Sequence, residues 1–245
     1  MKQALIFAAG LGTRLRPITD SLPKALVEVA GKPLLAHVID RLTAEGYNDI
    51  VVNVHHFADK VIDYIRRNYA DKLNVNISDE RELLLETGGG IKHAQHFFSN
   101  SSPILIHNVD ILSNANLTLL YDKSGTDATL LVSKRSSSRY LLFDDDMKLV
   151  GWTNINTGEI RSPYDISDVN KYKQYAFSGI HSFSPTLFQD MDDYPERFKI
   201  IDFYLDVCAK RDIVGVEQSD LQLLDVGKLD SLQKAEAFIT GHHSL

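Results

Sequence analysis

Directly after a short apolar segment the chain reads Ala8-Ala9-Gly10-Leu11-Gly12-Thr13-Arg14-Leu15-Arg16-Pro17, and Pro23-Lys24 follows soon after. Glycines at the end of a buried strand let the backbone approach a ligand closely and turn N–H groups toward phosphate oxygens. An arginine and a lysine beside such a loop can neutralise a triphosphate and meet charge that develops during phosphoryl transfer. The dinucleotide pattern G-x-G-x-x-G fails, because Leu15 stands at its third glycine, and the pattern G-x-x-x-x-G-K-[ST] fails as well. The competing reading is a surface turn whose cations serve solubility. Arg14, Lys24 and the preceding strand favour phosphate. In that reading Ala9, Gly10, Gly12 and Thr13 hold the phosphates with Arg14, and Arg14 and Lys24 do the catalytic work on charge.

Two aspartates offer a second element of the same chemistry. Asp110 closes Ile106-His107-Asn108-Val109-Asp110, and Asp225 stands in Leu224-Asp225-Val226-Gly227. Both are expected at carboxyl ends of strands, the edge where open α/β sheets bind ligands. A pair of carboxylates suits Mg²⁺, which takes hard oxygen ligands and keeps places for water and phosphate. For either aspartate alone, a helix N-cap or a turn is the rival explanation. Beside a phosphate loop, the pair points to a metal that bridges phosphate oxygens in an in-line displacement.

These residues need a scaffold, and the first half of the chain supplies an alternation of strands and helices. Gln3 to Ala9, Ile50 to Val54, Leu73 to Ile77 and Pro103 to His107 are apolar runs of strand length. Pro33 to Ala44 carries Leu34, Leu35, Val38, Ile39 and Leu42 at helical spacing, with Gly46 as a stop. Asp59 to Tyr69 and Gly89 to Phe98 read as further helices. The order predicts a mostly parallel, Rossmann-like sheet covered by helices on both faces. The second half predicts a small antiparallel extension from Thr129 to Ser133, Tyr140 to Phe143, Leu149 to Trp152 and Tyr175 to Phe183, with residues 153–173 irregular. Helices near Ile200 to Lys210 and Asp230 to Thr240, and strands at Ile213 to Val216 and Gln222 to Val226, complete it. No repeat or linker interrupts the chain, so the expectation is one α/β domain over 1–245. Its nucleotide-binding half spans about 1–125 and its acceptor half about 126–245.

Composition narrows the classes further. The 245 residues are 44% hydrophobic and 24% charged, with a formal net charge of −7. That balance fits a globular core and opposes general nucleic-acid binding, which needs a basic face. Cys208 is the one cysteine, so an internal disulfide framework and a cysteine zinc site are excluded. No apolar run approaches membrane-spanning length, and the N-terminus lacks a cleavable signal, so the expected location is the cytoplasm.

The loop from Gly10 to Pro17, then Pro23-Lys24-Ala25-Leu26-Val27 and Gly31-Lys32-Pro33-Leu34, resembles the signature of the sugar-1-phosphate nucleotidyltransferases. The likeness runs over nearly the whole chain. It implies a nucleoside triphosphate in the loop, a sugar 1-phosphate as acceptor, and Mg²⁺ at Asp110 and Asp225, where family members match. Leu85-Glu86-Thr87-Gly88-Gly89-Gly90 corresponds to the family's base-binding glycines, which implies nucleotide contact at Thr87, Gly88 and Gly89. Glu86 stands where many members have glycine, and the pattern is most similar to the N-acetylmuramate 1-phosphate uridylyltransferases, enzymes of cell-wall metabolism. Phe177-Ser178-Gly179-Ile180 resembles the segment packed against the sugar, which implies substrate contact at Ser178 and Gly179. Two departures stand out: Val109 replaces the usual glycine before the first aspartate, and the Glu-Lys-Pro element is missing, leaving Arg139 and Lys199 as stand-ins. The rival readings are a GTP-dependent enzyme for mannose or heptose 1-phosphate and a non-catalytic nucleotide-binding regulatory domain.

Overall fold

The computed structural model describes residues 2–121 and 125–242. In the first half, β1 (Lys2–Phe7) is followed by a two-residue hairpin, β2 (Glu28–Val29) and β3 (Lys32–Pro33), then α1 (Leu34–Ala44), β4 (Tyr47–Val54), α2 (Ala58–Tyr69), β5 (Asn74–Asp79), α3 (Glu86–His93) and β6 (Ile104–Asn108). The second half runs β7 (Ile111–Ser113), α4 (Leu117–Tyr121), β8 (Ala128–Ser133), β9 (Arg139–Phe143), β10 (Leu149–Asn154), β11 (Glu159–Arg161), β12 (Lys173–Phe183), α5 (Ile200–Val207), β13 (Ile213–Glu217), β14 (Leu223–Asp225) and α6 (Leu229–His242).

Strand β1 pairs in parallel with β4 on one side and with β6 on the other, and β5 adds beyond β4. Strand order therefore reverses at β1 and β6, the point where doubly wound sheets open a crevice beyond the strands' carboxyl ends. The sheet continues from β6 into β12, which runs antiparallel to it through Ile180–Phe183. The first residues of β12, Lys173–Tyr175, pair with β9, and Ala176–Phe183 pair with β8. Strands β10 and β11 extend the antiparallel edge, and β13 adds in parallel to β8. These strands form one ten-stranded sheet, mostly parallel in its first half and antiparallel in its second.

Period-two alternation divides the sheet's side chains between two cores. Ala4, Ile6, Val52 and Leu105 face α1 and α2, while Leu5, Val51, Ile104 and Ile106 face α3 and α5. Burying each of these valine, leucine and isoleucine side chains contributes roughly 1.5–3 kcal/mol. Helix α1 buries Leu34, Leu35, Val38, Ile39 and Leu42 along one stripe and ends at Gly46, whose φ of +86° turns the chain toward β4.

Three expectations change. The third helix begins at Glu86 rather than Gly89 and ends at His93, followed by a 3₁₀ turn over Ala94–Phe97. Residues 153–173 are not wholly irregular. Strand β10 runs on to Asn154, a turn closes with the Gly158 N–H donating to the Asn154 carbonyl at 2.8 Å, and β11 pairs back. Its Glu-Ile-Arg sequence is largely exposed, so it carried no apolar alternation to read. The short β7 was also not anticipated. It pairs with β14, with Asp225 opposite Ile111. No helix among the described residues is long and apolar enough to cross a membrane.

Candidate active site

A cavity of about 230 Å³ opens at the β1/β6 reversal, walled by Ala8, Ala9 and Gly10 after β1 and by Asn108, Val109 and Asp110 after β6. Lys24, Glu86 and Thr87 close its other sides. The loop after β1 owes its shape to a few residues. Leu15 is fully buried and anchors it in the core. Gly12 has φ +64°, and a Cβ there would stand 2.9 Å from Thr19 Cγ2 and 3.1 Å from Lys24 Cβ, so its bareness lets the loop fold onto Lys24. The Thr19 hydroxyl donates to the Gly12 carbonyl at 2.8 Å. At Gly10 a Cβ would meet nothing within 4 Å, so no protein packing among the described residues demands that glycine, and the free space faces the cavity. Ala9 lines the same wall, although its N–H already donates to Asn53 Oδ1 at 3.1 Å. Thr13 and Arg14 are exposed beyond the rim.

Backbone pairing brings the two aspartates together. Val226 N–H donates to the Asp110 carbonyl at 2.8 Å, extending the β7–β14 ladder to the aspartates themselves. The Lys24 ammonium is ion-paired with Asp110 and both side chains are largely buried. Asp225 is exposed and forms no ion pair among the described residues. The Arg14 guanidinium and the Asp225 carboxylate each lie 2.6 Å from where a Gly227 Cβ would stand, so glycine at 227 lets them share one corner. Lys24 and Asp110 thus line the cavity, while Arg14 and Asp225, more than 200 residues apart in sequence, meet at Gly227 beside it.

The second glycine run packs against the segment 196–198. A Cβ at Gly88 would stand 2.3 Å from Phe198 Cε2, and one at Gly89 would stand 2.2 Å from the Glu196 carbonyl oxygen. The N–H groups of both donate to the Phe198 carbonyl, at 2.8 and 3.2 Å. Helix packing therefore accounts for Gly88 and Gly89, and their backbone donors are spent on protein. Thr87 does line the cavity, and its hydroxyl oxygen accepts from the Ile200 N–H at 3.0 Å. Glu86 holds φ +63°, a region that glycine enters without steric cost, and its carboxylate pairs with Arg197 at 3.1 Å.

A second cavity of about 450 Å³ adjoins the first and shares Phe7, Glu86, Thr87 and Asn108 with it. Its outer wall carries Arg139, Arg161 and Lys199. Arg161 is ion-paired with Asp202, whereas Arg139 and Lys199 form no ion pair among the described residues. Ser178 and Gly179 stand behind this wall rather than in it. Gly179, at φ +77° in the bulge of β12, packs against Asn108, whose Nδ2 would be 2.7 Å from a Cβ there. Ser178 is buried. His181, two residues on, does line the cavity. Burial pushes its pKa down to about 3, and neither ring nitrogen has a hydrogen-bond partner among the described residues. Sequence reasoning passed over His181, Asn53 and Glu80, since a lone polar residue in a strand, or just past the end of one, gives no sign of which way it faces. Burial raises the Cys208 thiol to about 11, which removes it as a nucleophile.

Comparison with known proteins follows the same lines. A family model described as nucleotidyl transferase matches residues 3–242. The chain is 34% identical over 249 residues to the N-acetylmuramate alpha-1-phosphate uridylyltransferase of Caulobacter vibrioides, covering 96% of each chain. It is 35% identical over 137 residues to the mannose-1-phosphate guanyltransferase of Gibberella zeae, covering 54% of this chain and 37% of that one. Among solved structures, HddC of Yersinia pseudotuberculosis complexed with GMP-PN superposes with a TM-score of 0.75 at 22% identity, covering 98% of this chain and 100% of that one. The inositol-1-phosphate CTP transferase of T. maritima does so with a TM-score of 0.79 at 13% identity, covering 100% and 97%. At those identities the likeness establishes the fold.

Proposed function

The chain belongs to the nucleotidyl transferase family, and from that premise we propose a sugar-1-phosphate nucleotidyltransferase whose preferred pair is UTP and N-acetylmuramate 1-phosphate. The observation that carries the acceptor choice is the wall of the second cavity. N-acetylmuramate 1-phosphate brings a carboxylate as well as a phosphate. Arg139 and Lys199 offer two cations without ion-pair partners among the described residues, with Arg161 beside them. A sugar 1-phosphate without a carboxylate would meet these cations through its phosphate alone. The uridylyltransferase likeness over 96% of the chain supports the same pair, whereas the guanyltransferase likeness extends over 54%.

The reaction joins an acceptor phosphate oxygen to the α-phosphorus of the triphosphate and breaks the bond to the β-phosphate, releasing pyrophosphate. No protein nucleophile is required, so the work lies in positioning and in charge. Gly10 presents open backbone to the phosphates, and Arg14 closes on them from the rim. The Lys24 ammonium stands at the cavity wall to meet charge that grows on the departing pyrophosphate. Arg139 and Lys199 hold the acceptor, and Thr87 borders both ligands. Asp110 and Asp225 fit Mg²⁺: both are hard oxygen donors, their strands are hydrogen-bonded side by side, and Asp225 has no ion-paired cation among the described residues. A bound Mg²⁺ supplies neutralisation of the phosphate oxygens.

Pyrophosphate release measured for each triphosphate against N-acetylmuramate, N-acetylglucosamine and mannose 1-phosphates tests the reading. UTP with the carboxylate-bearing acceptor is expected to give the highest kcat/KM. GTP as the best donor would overturn the uridylyl assignment, and tight triphosphate binding with no release from any acceptor would favour a regulatory domain.

A further inference from the structure

Strands β1 and β4 run in register to the pair Phe7–Asn53, and there β1 leaves the sheet. Two successive buried N–H groups, those of Ala8 and Ala9, lose their ladder partners at this point. The Asn53 side chain takes both: its Oδ1 accepts from Ala8 N at 2.7 Å and from Ala9 N at 3.1 Å. The amide cannot be reversed, because its Nδ2 donates to Glu80 Oε1 at 2.7 Å. The other Glu80 oxygen accepts from the Leu85 N–H at 3.2 Å. Asn53 and Glu80 are 2% and 3% exposed, and both line the nucleotide cavity. Gly90 makes room for them, since a Cβ there would stand 2.9 Å from Glu80 Oε1 and 3.2 Å from Asn53 Nδ2.

The bonds form a continuous bridge from the root of the glycine loop, through Asn53 and Glu80, to the segment Leu85–Thr87 on the opposite side of the cavity. We infer that Glu80 and Asn53 are positioning residues that fix the separation between the phosphate loop and the segment bordering both ligands. The inference rests on the nucleotide reading of that cavity. A carboxylate is required at 80 because both of its partners are donors, and an ionised carboxyl accepts at each oxygen. Burial raises the Glu80 pKa, and the two hydrogen bonds oppose that shift.

This polarity makes the bridge testable by exchange. In Glu80→Gln one amide hydrogen must face a donor, either Asn53 Nδ2 or Leu85 N–H, and in Asn53→Asp two carboxylates face each other. In the double variant the new carboxylate at position 53 accepts from Ala8, from Ala9 and from the new amide at position 80, whose oxygen in turn accepts from Leu85. Every donor is again matched at the same net charge. Hydrogen exchange of the Ala8, Ala9 and Leu85 amides reads the bridge without any ligand, and kcat/KM for UTP reads its consequence. Each single variant is expected to speed exchange and lower kcat/KM by roughly tenfold, the effect of one buried donor left unpaired, with the double variant restoring both. The KM for the acceptor should move less than the KM for UTP. Faster exchange without a kinetic change, or a double variant that folds stably yet stays as impaired as the worse single, would overturn the inference. A parent that turns over no triphosphate fails the functional reading instead, and the exchange arm still decides the bridge.

Discussion

Replacing Gly89 by alanine separates two explanations of the glycine run, and the structure gives the expected size of the effect. The new methyl would stand 2.2 Å from the Glu196 carbonyl oxygen and 3.0 Å from Leu85 Cβ. The first of these is backbone, which cannot rotate aside as a side chain can, so residues 196–198 must move outward. That segment is tied to α3 by three hydrogen bonds, from Gly88 N–H and Gly89 N–H to Phe198 and from Phe198 N–H to Leu85. Overpacking costs about 1–3 kcal/mol and each strained hydrogen bond about 1 kcal/mol more. Alanine returns about 1 kcal/mol of helix propensity. The net loss is about 3–5 kcal/mol, which for a chain of this size lowers the Tm by roughly 6–20 °C.

Thermal unfolding of Gly89→Ala and its ranking of UTP, GTP and CTP form the assay. The displaced segment leads into Lys199, so the KM for the acceptor should rise while the order of the three triphosphates holds. A Tm within about one degree of the parent together with a changed base order would refute the packing account. It would return Gly88 and Gly89 to the nucleobase.

Asp110→Asn and Asp225→Asn should each lower turnover by two to three orders of magnitude, roughly the loss from deleting one preorganised partner of transition-state charge. The Tm should stay near the parent's for Asp225→Asn and fall for Asp110→Asn, which leaves the largely buried Lys24 without its partner. Activity of either within about tenfold of the parent at saturating Mg²⁺ would remove that residue from the metal site. Lys24→Ala should lower kcat more than it raises the KM for the triphosphate, and it should tighten divalent-metal binding in the absence of nucleotide, because Asp110 loses its resident cation. A rise in KM alone would make Lys24 a ground-state binding group. His181 has a folded pKa of about 3 against an ordinary 6.5, so the unfolded chain takes up its proton first as pH falls. Its contribution to stability is complete above pH 6.5 and is lost below it, at about 1.4 kcal/mol per pH unit, toward the folded value. Urea unfolding of His181→Phe between pH 5 and pH 7 should show a slope reduced by about that amount, and an unchanged slope would refute the assignment.

The parallel half of the fold was legible because buried strands and amphipathic helices leave strong periodic marks, as Gln3–Phe7 and Leu34–Leu42 do. The position of the glycine loop was legible because Gly10 and Gly12 follow directly on the buried run Gln3–Phe7, which puts them at the sheet's edge. What the sequence hid were features defined by neighbours far away in the chain. Gly88 and Gly89 look alike whether they face a base or the backbone of 196–198. Ser178 and Gly179 belong to a bulge whose purpose, making room for Asn108, depends on a strand some seventy residues earlier. Asn53, in β4, and Glu80, just past the end of β5, are ordinary residues until β1 ends beside them. Strand β11 was hidden for a simpler reason: with its side chains in water it had no apolar pattern to display.

Strand β12 has a mechanical consequence for the whole molecule. It pairs with β6 through Ile180–Phe183, with β8 through Ala176–Phe183 and with β9 through Lys173–Tyr175, so one continuous backbone joins the strands behind the two cavities. Any rotation of one half against the other would have to shear these ladders together. Adjustment to two ligands of different size must then come from side chains and from the loops mounted on that sheet. In the proposed reaction, the spacing of donor and acceptor would then be set by this shared strand.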